Sequence, residues 1–255
     1  MTRPRVDYDQ VAPLYDSQPY RAKEPDPELK RFLAEWKGPG QPALLDVGCG
    51  TGNQLVANLA LAPSARHFGA DPFAGMLAEG RRKTSVVRFV QARGEQLPFR
   101  AQSFDFITNQ FSFHHVQAKD AMLADVFRML KPGSRFVMQN LSPRDAPHSA
   151  LYRYFPKTYQ EDLRFFPSQE ELREGFTRAG FASLELELTT RSFERPLEQV
   201  AAQMRRRDHC SQLIALDDAS YEAGLRGLEE ELATGLSRRV PDEVCLLKLA
   251  GTRPR

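Results

Sequence analysis

The spacing of apolar residues predicts alternating strands and helices over the first 140 residues. Short runs rich in β-branched and aromatic residues predict strands at 43–47, 67–70, 86–91, 104–109 and 136–141. Between these runs, apolar residues recur every three or four positions and predict amphipathic helices at 53–61, 73–82 and 118–130. Because strands that alternate with helices usually pair in parallel, the pattern predicts a doubly wound α/β sheet.

The pattern changes after Ser142, where four prolines interrupt a segment dense in aromatic residues. This segment, 142–167, is predicted to be an inserted helical cap. Beyond it the pattern predicts a helix at 169–178, a strand at 182–188, a helical stretch at 196–236 broken near Asp217, and a last strand at 243–250. We expect the last strand to be antiparallel in an otherwise mostly parallel sheet.

The composition is that of a globular protein, with 41% hydrophobic and 27% charged residues among 255. The net charge of +2 gives no sign of a nucleic-acid-binding surface. Cys49, Cys210 and Cys245 are odd in number and far apart, which favours a reducing compartment, so we expect a cytoplasmic protein. No apolar run approaches the roughly 18 residues of a membrane span, and the start of the chain has no signal-peptide pattern.

Three glycines, Gly48, Gly50 and Gly52, follow the first predicted strand. A loop that leaves a parallel strand for a helix exposes backbone N–H groups, and glycines let a ligand approach that backbone closely. The alternative is a turn that only packs the helix on the strand. The dinucleotide fingerprint would place its third glycine at position 53, which is Asn53, so the spacing disfavours a nicotinamide cofactor.

Asp71 ends the second predicted strand, at the same edge of the sheet as the glycines. An acid in this position can accept hydrogen bonds from both hydroxyls of a ribose. The alternative is a turn or helix-capping acid ahead of Pro72, and Asp46 also has the alternative of a structural turn residue. Together the glycines and Asp71 favour a nucleoside-binding site.

Further short motifs surround this loop. In chain order they are Tyr8–Asp16, Leu45–Gly52, Gly69–Pro72 with Met76-Leu77, Leu97–Phe99, Ser103–Asp105, His114–Val116 and Arg128–Gly133. The series resembles class I S-adenosylmethionine-dependent methyltransferases, especially the ubiquinone and menaquinone biosynthesis branch (methyltransferase type 11). The resemblance covers about Tyr8 to Leu141.

The resemblance implies a Rossmann-like fold, S-adenosyl-L-methionine as cofactor and S-adenosyl-L-homocysteine as product. It implies a single methyltransferase domain over 1–255. The expected parts are a helical N-terminal arm at 1–40, a cofactor-binding core at 41–141, the cap at 142–167, and a C-terminal part of the sheet at 168–255 with a helical insertion at 196–236.

The resemblance also implies roles for single residues. Asp46 would orient the loop and approach the methionine amino group, Asp71 would hold the ribose, and Met76 would pack near the adenine. Tyr15 would close over the methionine end, and the strand end at Asn109 would lie beside the sulfonium. The full predicted cofactor-binding set is Tyr15, Asp46, Gly48, Cys49, Gly50, Asp71, Pro72, Met76, Arg93, Gly94, Glu95, Asn109 and Phe111.

One segment departs from the family pattern. The family usually has Gly-Asp-Ala before the Leu-Pro-Phe element, and its Asp accepts a hydrogen bond from the adenine amino group, whereas this chain has Ala92-Arg93-Gly94-Glu95. Arg93 carries only donors and cannot replace a carboxylate. Glu95 or a backbone carbonyl oxygen would then contact the adenine. Ser134, where the family often has glycine, is a milder departure.

Methyl transfer from a sulfonium is an in-line displacement, so the protein has mainly to align the two reactants. An acceptor with a hydroxyl or an acidic carbon would also use a base. His114, just past the fourth predicted strand, is the candidate, because imidazole titrates near neutral pH. The alternative is that His114 and His115 form a polar helix start, with one ring in solvent and the other hydrogen-bonded locally. The histidine spacing is not typical of a metal site, so we predict no metal.

Two segments have both a ligand-binding and a structural interpretation. The aromatic residues from Tyr152 to Phe166 would either form a lid over a flat or apolar acceptor, with the pocket opening under the cap, or make the core of an inserted helix pair. The run Arg205–Arg207 would either meet an anionic substrate or lie on a solvated helix face.

We therefore predict methyl transfer to a small-molecule acceptor, and the aromatic segment suggests an aromatic or apolar one. The sequence leaves open whether oxygen, nitrogen, carbon or sulfur is methylated. A nucleic-acid acceptor is disfavoured because Asn109–Ser112 lacks the double-proline loop of base methylases. Two alternatives remain: a scaffold that binds the cofactor without catalysis, suggested by Arg93, and a nicotinamide oxidoreductase, which the position of Gly52 disfavours.

Overall fold

The computed structural model describes residues 6–235 and 238–255. The strands are β1 Ala43–Val47, β2 Arg66–Asp71, β3 Arg88–Gln91, β4 Phe104–Gln110, β5 Leu130–Leu141, β6 Ala182–Pro196 and β7 Arg239–Thr252. The helices are α1 Tyr8–Tyr15, α2 Pro27–Glu35, α3 Asn53–Asn58, α4 Ala74–Lys83, α5 Lys119–Met129, α6 Ala150–Tyr154, α7 Pro156–Phe165, α8 Gln169–Ala179, α9 Leu197–Met204, α10 Ser211–Ile214 and α11 Asp218–Ala233.

In the described ranges the strands form one seven-stranded sheet with the order β3-β2-β1-β4-β5-β7-β6. The strands from β3 to β5 are parallel to one another. At the other side, the amide of Gly133 donates to the carbonyl of Arg253 and the amide of Ser142 to that of Cys245, so β7 runs antiparallel to β5. This topology confirms the predicted Rossmann-like, mostly parallel sheet with an antiparallel last strand.

The order of the strands brings three carboxyl ends together. Strand β1 lies between β2 and β4, and Leu45 pairs with Phe68 on one side and with Ile107 on the other. The chain reverses its direction of winding at this point, and open α/β sheets bind ligands in the crevice that forms there. The residues that follow β1, β2 and β4 are therefore the ones to search for a site.

Two strands differ most from their predicted bounds. Strand β5 starts at Leu130 instead of residue 136, and residues 131–133 lie inside the strand as an irregularity, with a positive φ at Gly133 and a shifted register against β4. Strand β6 continues to Pro196 instead of ending at residue 188, because it accompanies a β7 that is longer than predicted. Both differences come from strand pairing, which the local pattern does not contain.

The chain divides into two compact units. The helical unit contains Leu141–Ser168, Leu188–Leu247 and the described residues up to Asp7, and the sheet unit contains Tyr8–Asn140, Gln169–Glu187 and Lys248–Arg255. Strands β6 and β7 thus contribute residues to both units.

The helical unit has its own hydrophobic core. Its buried members are Ala150, Tyr154, Phe155, Leu197, Val200, Ala201, Met204, Leu213, Leu216, Leu228 and Val240. Phe155 packs closely on α11, where a Cβ at Gly224 would lie 2.3 Å from the Phe155 ring. Tyr154 and Phe155 therefore form core, as the second interpretation of the cap aromatic residues expects.

The N-terminal arm is helical, as predicted, and it includes a capped second helix. Asp26 precedes α2 and accepts a hydrogen bond from the amide of Glu28 (2.8 Å), and Pro27 occupies the first turn, where its missing N–H is not needed. Leu29 is buried in a cluster with Leu44 of β1 and Phe106 of β4. This packing holds the arm on the sheet unit. Across the described residues no helix is long and apolar enough to cross a membrane.

Candidate functional site

The glycine loop leaves the carboxyl end of β1 and packs tightly on the segment after β4. Gly48 has a φ of +73°, and a Cβ at this residue would lie 2.0 Å from the Oγ of Ser112. A side chain is therefore excluded here by both the backbone conformation and the lack of space. Gly50 also has a positive φ (+53°), and a Cβ there would meet only the Met76 methyl carbon, at 3.5 Å.

The backbone N–H groups of this loop are largely used within the protein. The amides of Gly48 and Cys49 donate to the carbonyl of Ala70, and the amide of Gly52 donates to that of Cys49. The amide of Gly50 donates to the Asp71 carboxylate. The expectation of unpaired N–H groups is thus wrong for these four residues, because strand β2 supplies the acceptors of three of them and the loop itself supplies the acceptor of Gly52.

Asp71 ends β2 and is 6% exposed. Its Oδ2 accepts a hydrogen bond from the amide of Gly50 (2.9 Å) and its Oδ1 accepts one from the amide of Phe73 (3.0 Å). Burial raises the pKa of the carboxyl, and these two hydrogen bonds act in the opposite direction. Each carboxylate oxygen has a second lone pair, so Asp71 can fix the loop and still accept two hydroxyl groups.

Asn109, near the end of β4, is fully buried, and its Oδ1 is an acceptor without a hydrogen-bond partner. Its Nδ2 donates to the carbonyl of Val47 (2.7 Å) and to the Oγ of Ser112 (2.5 Å). A carbonyl only accepts, so this contact fixes the orientation of the amide and leaves Oδ1 free. Buried polar atoms are nearly always paired, and an exception next to a glycine loop indicates a ligand-binding position.

Phe111 follows β4 with a φ of +54°, a conformation that L-residues rarely adopt. The strand pairing imposes it, since the amide of Phe111 donates to the carbonyl of Gln139 on β5. Such residues cost roughly 1 to 3 kcal/mol and cluster at ligand-binding sites. The bend turns the chain after β4 back toward the glycine loop, where Ser112 meets Gly48.

Asp46 lies in β1 and is 3% exposed. Burial raises its pKa to about 7, although a hydrogen bond from the Thr108 hydroxyl (3.0 Å) acts in the opposite direction. The charge of Lys23 also lowers the pKa, whereas those of Asp26 and Asp71 raise it. Asp46 is thus a carboxyl whose charge is costly and would be favoured by a nearby cation.

The N-terminal arm reaches the loop through the residues around Tyr15. The Tyr15 hydroxyl accepts a hydrogen bond from Arg21 (2.6 Å), whose guanidinium also lies over the Tyr15 ring. Burial raises the pKa of this tyrosine, and the negative charge of Asp71 contributes to the increase. Asp16 accepts from Thr51 of the loop (2.8 Å) and from Asn53 (2.7 Å). The arm is therefore fastened directly to the glycine loop.

The remaining predicted cofactor-binding residues lie on the β2 and β3 side of the sheet unit. Met76 is buried on α4, against the loop. Pro72 is half-buried, and Arg93 is exposed after β3. Glu95 is occupied by the backbone before α5, because its Oε1 accepts from the amides of Gln117 (2.9 Å) and Ala118 (3.4 Å). Gly94 packs against Met122, where a Cβ would lie 3.0 Å from the sulfur.

The two neighbouring histidines have different surroundings. His114 is buried, and its ring centroid lies 3.9 Å from that of His115. His115 is exposed, and its Nε2 forms a hydrogen bond with the Tyr8 hydroxyl (3.0 Å). His115 is therefore exposed and hydrogen-bonded to the N-terminal arm, and the candidate base His114 is the one shielded from solvent.

Sequence reasoning missed Lys23, which lies at this edge of the sheet. Its ammonium is 4.8 Å from the centroid of the Phe111 ring. Burial lowers the pKa of Lys23, and the charges of Asp46 and Asp26 raise it. Lys23 belongs to the short connection between two arm helices, and nothing in its spacing distinguishes it from the other lysines. Only the fold places it beside β1 and β4.

These residues fit a nucleoside that carries a charged amino-acid tail. Asp71 offers two acceptors to hydroxyl groups, and the next strand ends offer the unpaired Oδ1 of Asn109 and the buried carboxyl of Asp46. Within the described residues no group of three or more His, Cys, Asp or Glu side chains could hold a metal ion. The fold and this edge define a Rossmann-like nucleoside-binding protein.

Comparison with known proteins gives the family. A family model described as a methyltransferase domain matches residues 45–138. The ubiquinone/menaquinone biosynthesis C-methyltransferase UbiE of Vibrio cholerae is 35% identical in an alignment of 180 residues, which covers 60% of this chain and 69% of that protein. The chain therefore belongs to the class I S-adenosylmethionine-dependent methyltransferases, in the ubiquinone and menaquinone branch. It is an S-adenosylmethionine-dependent methyltransferase.

Solved structures show the same fold at low sequence identity. A protein from an antibiotic biosynthesis pathway of Anabaena variabilis superposes with a TM-score of 0.65 at 19% identity, over 88% of this chain and 97% of that one. Phosphoethanolamine N-methyltransferase 2 of Haemonchus contortus gives a TM-score of 0.56 at 20% identity. That alignment covers 89% of this chain but only 51% of the Haemonchus protein. The helices and strands of this chain are thus arranged as in other methyltransferases.

Proposed function

We propose that this methyltransferase acts on a small aromatic acceptor of the hydroquinone type and methylates a ring carbon. The similarity to ubiquinone/menaquinone C-methyltransferases supports this choice. A hydroquinone also suits a site with a base, because loss of the hydroxyl proton makes the adjacent ring carbon nucleophilic. The S–CH3 bond of the cofactor breaks, the C–CH3 bond forms, and the ring carbon then loses its proton.

The observation that carries the cofactor half of this proposal is the row of polar groups along three adjacent strand ends. Asp71 of β2 holds the ribose, the loop after β1 lies beneath the amino-acid chain, and Asn109 of β4 offers Oδ1 to the ligand. S-adenosylmethionine supplies a methyl group already activated on a sulfonium. The protein therefore contributes mainly alignment, which is worth roughly 7 to 11 kcal/mol when two reactants are held in contact.

The remaining predicted contacts complete this binding mode. Tyr15 closes over the methionine end from the arm, and Met76 packs near the adenine. Asp46 approaches the methionine amino group. Because the Oε1 of Glu95 accepts from backbone amides, the acceptor for the adenine amino group is either the Oε2 of Glu95 or a carbonyl oxygen of the segment 92–94.

A direct test is to supply the purified protein with S-adenosylmethionine and a reduced demethylnaphthoquinone. A ring-methylated product reoxidises to a quinone in air, whereas an O-methylated product does not, so chromatographic separation from the unmethylated quinone followed by the absorbance spectrum of the product identifies the methylated atom. We expect a methylated quinone. An O-methylated product, or no product while S-adenosylhomocysteine still binds, would reject this acceptor and leave the methyltransferase class unaffected.

His114 is the residue that we expect to remove the proton of the acceptor. It is buried in the segment that follows β4. His114→Gln should lower turnover about 100-fold, since a general base contributes this much or more, while affinity for S-adenosylhomocysteine stays the same. Turnover under saturating substrates and calorimetric binding measure the two effects. His148→Gln is the matched control, because His148 is exposed. Wild-type turnover in His114→Gln would exclude the assignment.

A further inference from the structure

Lys23 is a cation without a direct ion pair. No hydrogen bond or ion pair joins its ammonium to another residue in the part of the chain that the structure describes; it lies over the Phe111 ring, and Asp46 and Asp26 act on it only through their charges. The side chain is half-buried, and burial disfavours its charge. A partly desolvated ammonium of this kind is stabilised when a ligand brings a negative group.

The position of Lys23 relates it to one end of the cofactor. Phe111 follows β4, whereas Asp71, which would hold the ribose, ends β2. One strand, β1, lies between them, so the two strand ends are about 10 Å apart at the usual strand spacing. An adenosine with its ribose at Asp71 therefore extends its amino-acid chain across β1 toward β4 and Lys23.

We propose that Lys23 binds the carboxylate of the methionine part of the cofactor; this assignment rests on the proposed cofactor placement. The ammonium of the same amino acid then lies near the groups that favour a positive charge, the carboxyl of Asp46 and the unpaired Oδ1 of Asn109. The edge thus offers one cation and two acceptors, which complements a zwitterion. Lys23 thus supplies the positive charge opposite the methionine carboxylate, for which the sequence motifs contain no residue.

Arg21, the neighbouring cation, has a buried Nε without a hydrogen-bond partner, but it is a weaker candidate because Tyr15 and Tyr20 already engage its guanidinium. It donates to the Tyr15 hydroxyl and lies over the rings of Tyr15 and Tyr20. Lys23 has the ring contact alone. The Phe111 ring also holds the lysine in place, since a cation over an aromatic face is attracted to it even without an ion pair. The strained backbone of Phe111 is therefore connected to recognition of the carboxylate.

The test is a binding cycle with two probes and no acceptor. S-adenosylhomocysteine carries the carboxylate, and its decarboxylated form keeps the ammonium and the adenosine. Lys23→Met keeps the length of the side chain and removes the charge. We expect Lys23→Met to bind S-adenosylhomocysteine about 10- to 100-fold more weakly, as for loss of a hydrogen bond between charged groups, and to bind the decarboxylated probe like wild type.

Two further variants separate charge from packing. Lys23→Arg retains a cation and should recover most of the affinity for S-adenosylhomocysteine. Lys30→Met is the matched control, because Lys30 is exposed on α2, and it should bind both probes like wild type. Binding of the decarboxylated probe also reports that Lys23→Met is folded.

Equal affinity of wild type and Lys23→Met for S-adenosylhomocysteine would overturn the assignment. An equal loss of affinity for both probes would also overturn it, because the lysine would then act on packing and not on the carboxylate. Neither result depends on the acceptor, so failure of the hydroquinone assay is a separate outcome. Wild-type protein that binds neither probe would instead reject the cofactor placement on which this inference rests.

Discussion

Two buried carboxyl groups, Asp242 in the helical unit and Asp46 in the sheet unit, differ in how many hydrogen bonds they accept. In the helical unit, Asp242 is 9% exposed and accepts hydrogen bonds from the amides of Ala150 (2.9 Å) and Glu243 (3.0 Å) and from the Arg195 guanidinium (3.0 Å). In the sheet unit, Asp46 accepts one side-chain hydrogen bond, from Thr108, and the Oδ1 of Asn109 has no partner.

We interpret the difference as one between a carboxyl group that stabilises the protein and polar groups that we propose bind the ligand. A buried charge that is fully paired contributes to a specific fold, whereas a buried acceptor left unpaired costs stability until something binds it. Local rules of folding are expected to fail at functional sites, and they fail here along the carboxyl ends of β1 and β4. The following three substitutions test this contrast.

The largest change in stability is predicted for a substitution at Asp242 in the helical unit. Asp242→Ala removes the acceptor for two amides and leaves the Arg195 guanidinium without its carboxylate. We expect the free energy of unfolding to fall by roughly 3 to 5 kcal/mol, as when one partner of a buried ion pair is removed. Denaturant titration measures this. The protein that remains folded should bind S-adenosylhomocysteine with unchanged affinity.

Glu222→Ala is the control for that experiment, since Glu222 pairs only at the surface with Arg226 and surface pairs contribute about 0 to 1 kcal/mol. A loss of binding free energy for S-adenosylhomocysteine in Asp242→Ala as large as the loss of unfolding free energy would contradict this comparison.

The second effect is on binding at the sheet unit. Asp71→Ala should weaken affinity for S-adenosylhomocysteine about 100-fold, because hydrogen bonds to a charged group are worth roughly 1.5 to 3 kcal/mol. It also removes the acceptor for the amides of Gly50 and Phe73, so some stability is lost as well. Calorimetry gives the affinity, with the exposed Asp120→Ala as control. Unchanged affinity would remove Asp71 from the site.

The smallest of the three effects is an increase in stability, expected for a substitution at Asp46. Burial raises the pKa of Asp46 from 3.8 to about 7, so the folded protein binds more protons than the unfolded chain between these values. Stability therefore falls as pH rises from about 4 to 7, and the full cost is present above pH 7. Asp46→Asn removes the charge and should be more stable than wild type by roughly 1 to 2 kcal/mol at pH 8, because the amide keeps part of the burial cost.

The pH series provides the check on this prediction. The stability of Asp46→Asn relative to wild type should rise between about pH 4 and pH 7, from below wild type at pH 4 to above it at pH 8, because only wild type acquires the buried charge. A stability difference that is constant with pH would show that Asp46 keeps its charge at little cost.

The family, the parallel sheet and most strand positions could be predicted from the sequence. Strand ends such as Asp71 follow from the apolar pattern, because a buried strand and the polar residue after it are both local features. The glycine loop at 48, 50 and 52 could also be predicted from the sequence. The acceptors of its backbone N–H groups could not, because the acceptor of Gly48 lies on a strand 22 residues further along the chain, at Ala70.

Local sequence was enough to predict most strands, the order of the residues that carry chemistry, and the family that the motifs resemble. It did not predict that Glu95 supports the backbone before α5, that Asn109 keeps an unpaired acceptor or that Lys23 faces Phe111. The physical reason is the range of the interactions. Periodicity and capping act within a few residues, whereas the partners of a buried charge are set by strands and loops that meet only when the sheet has formed.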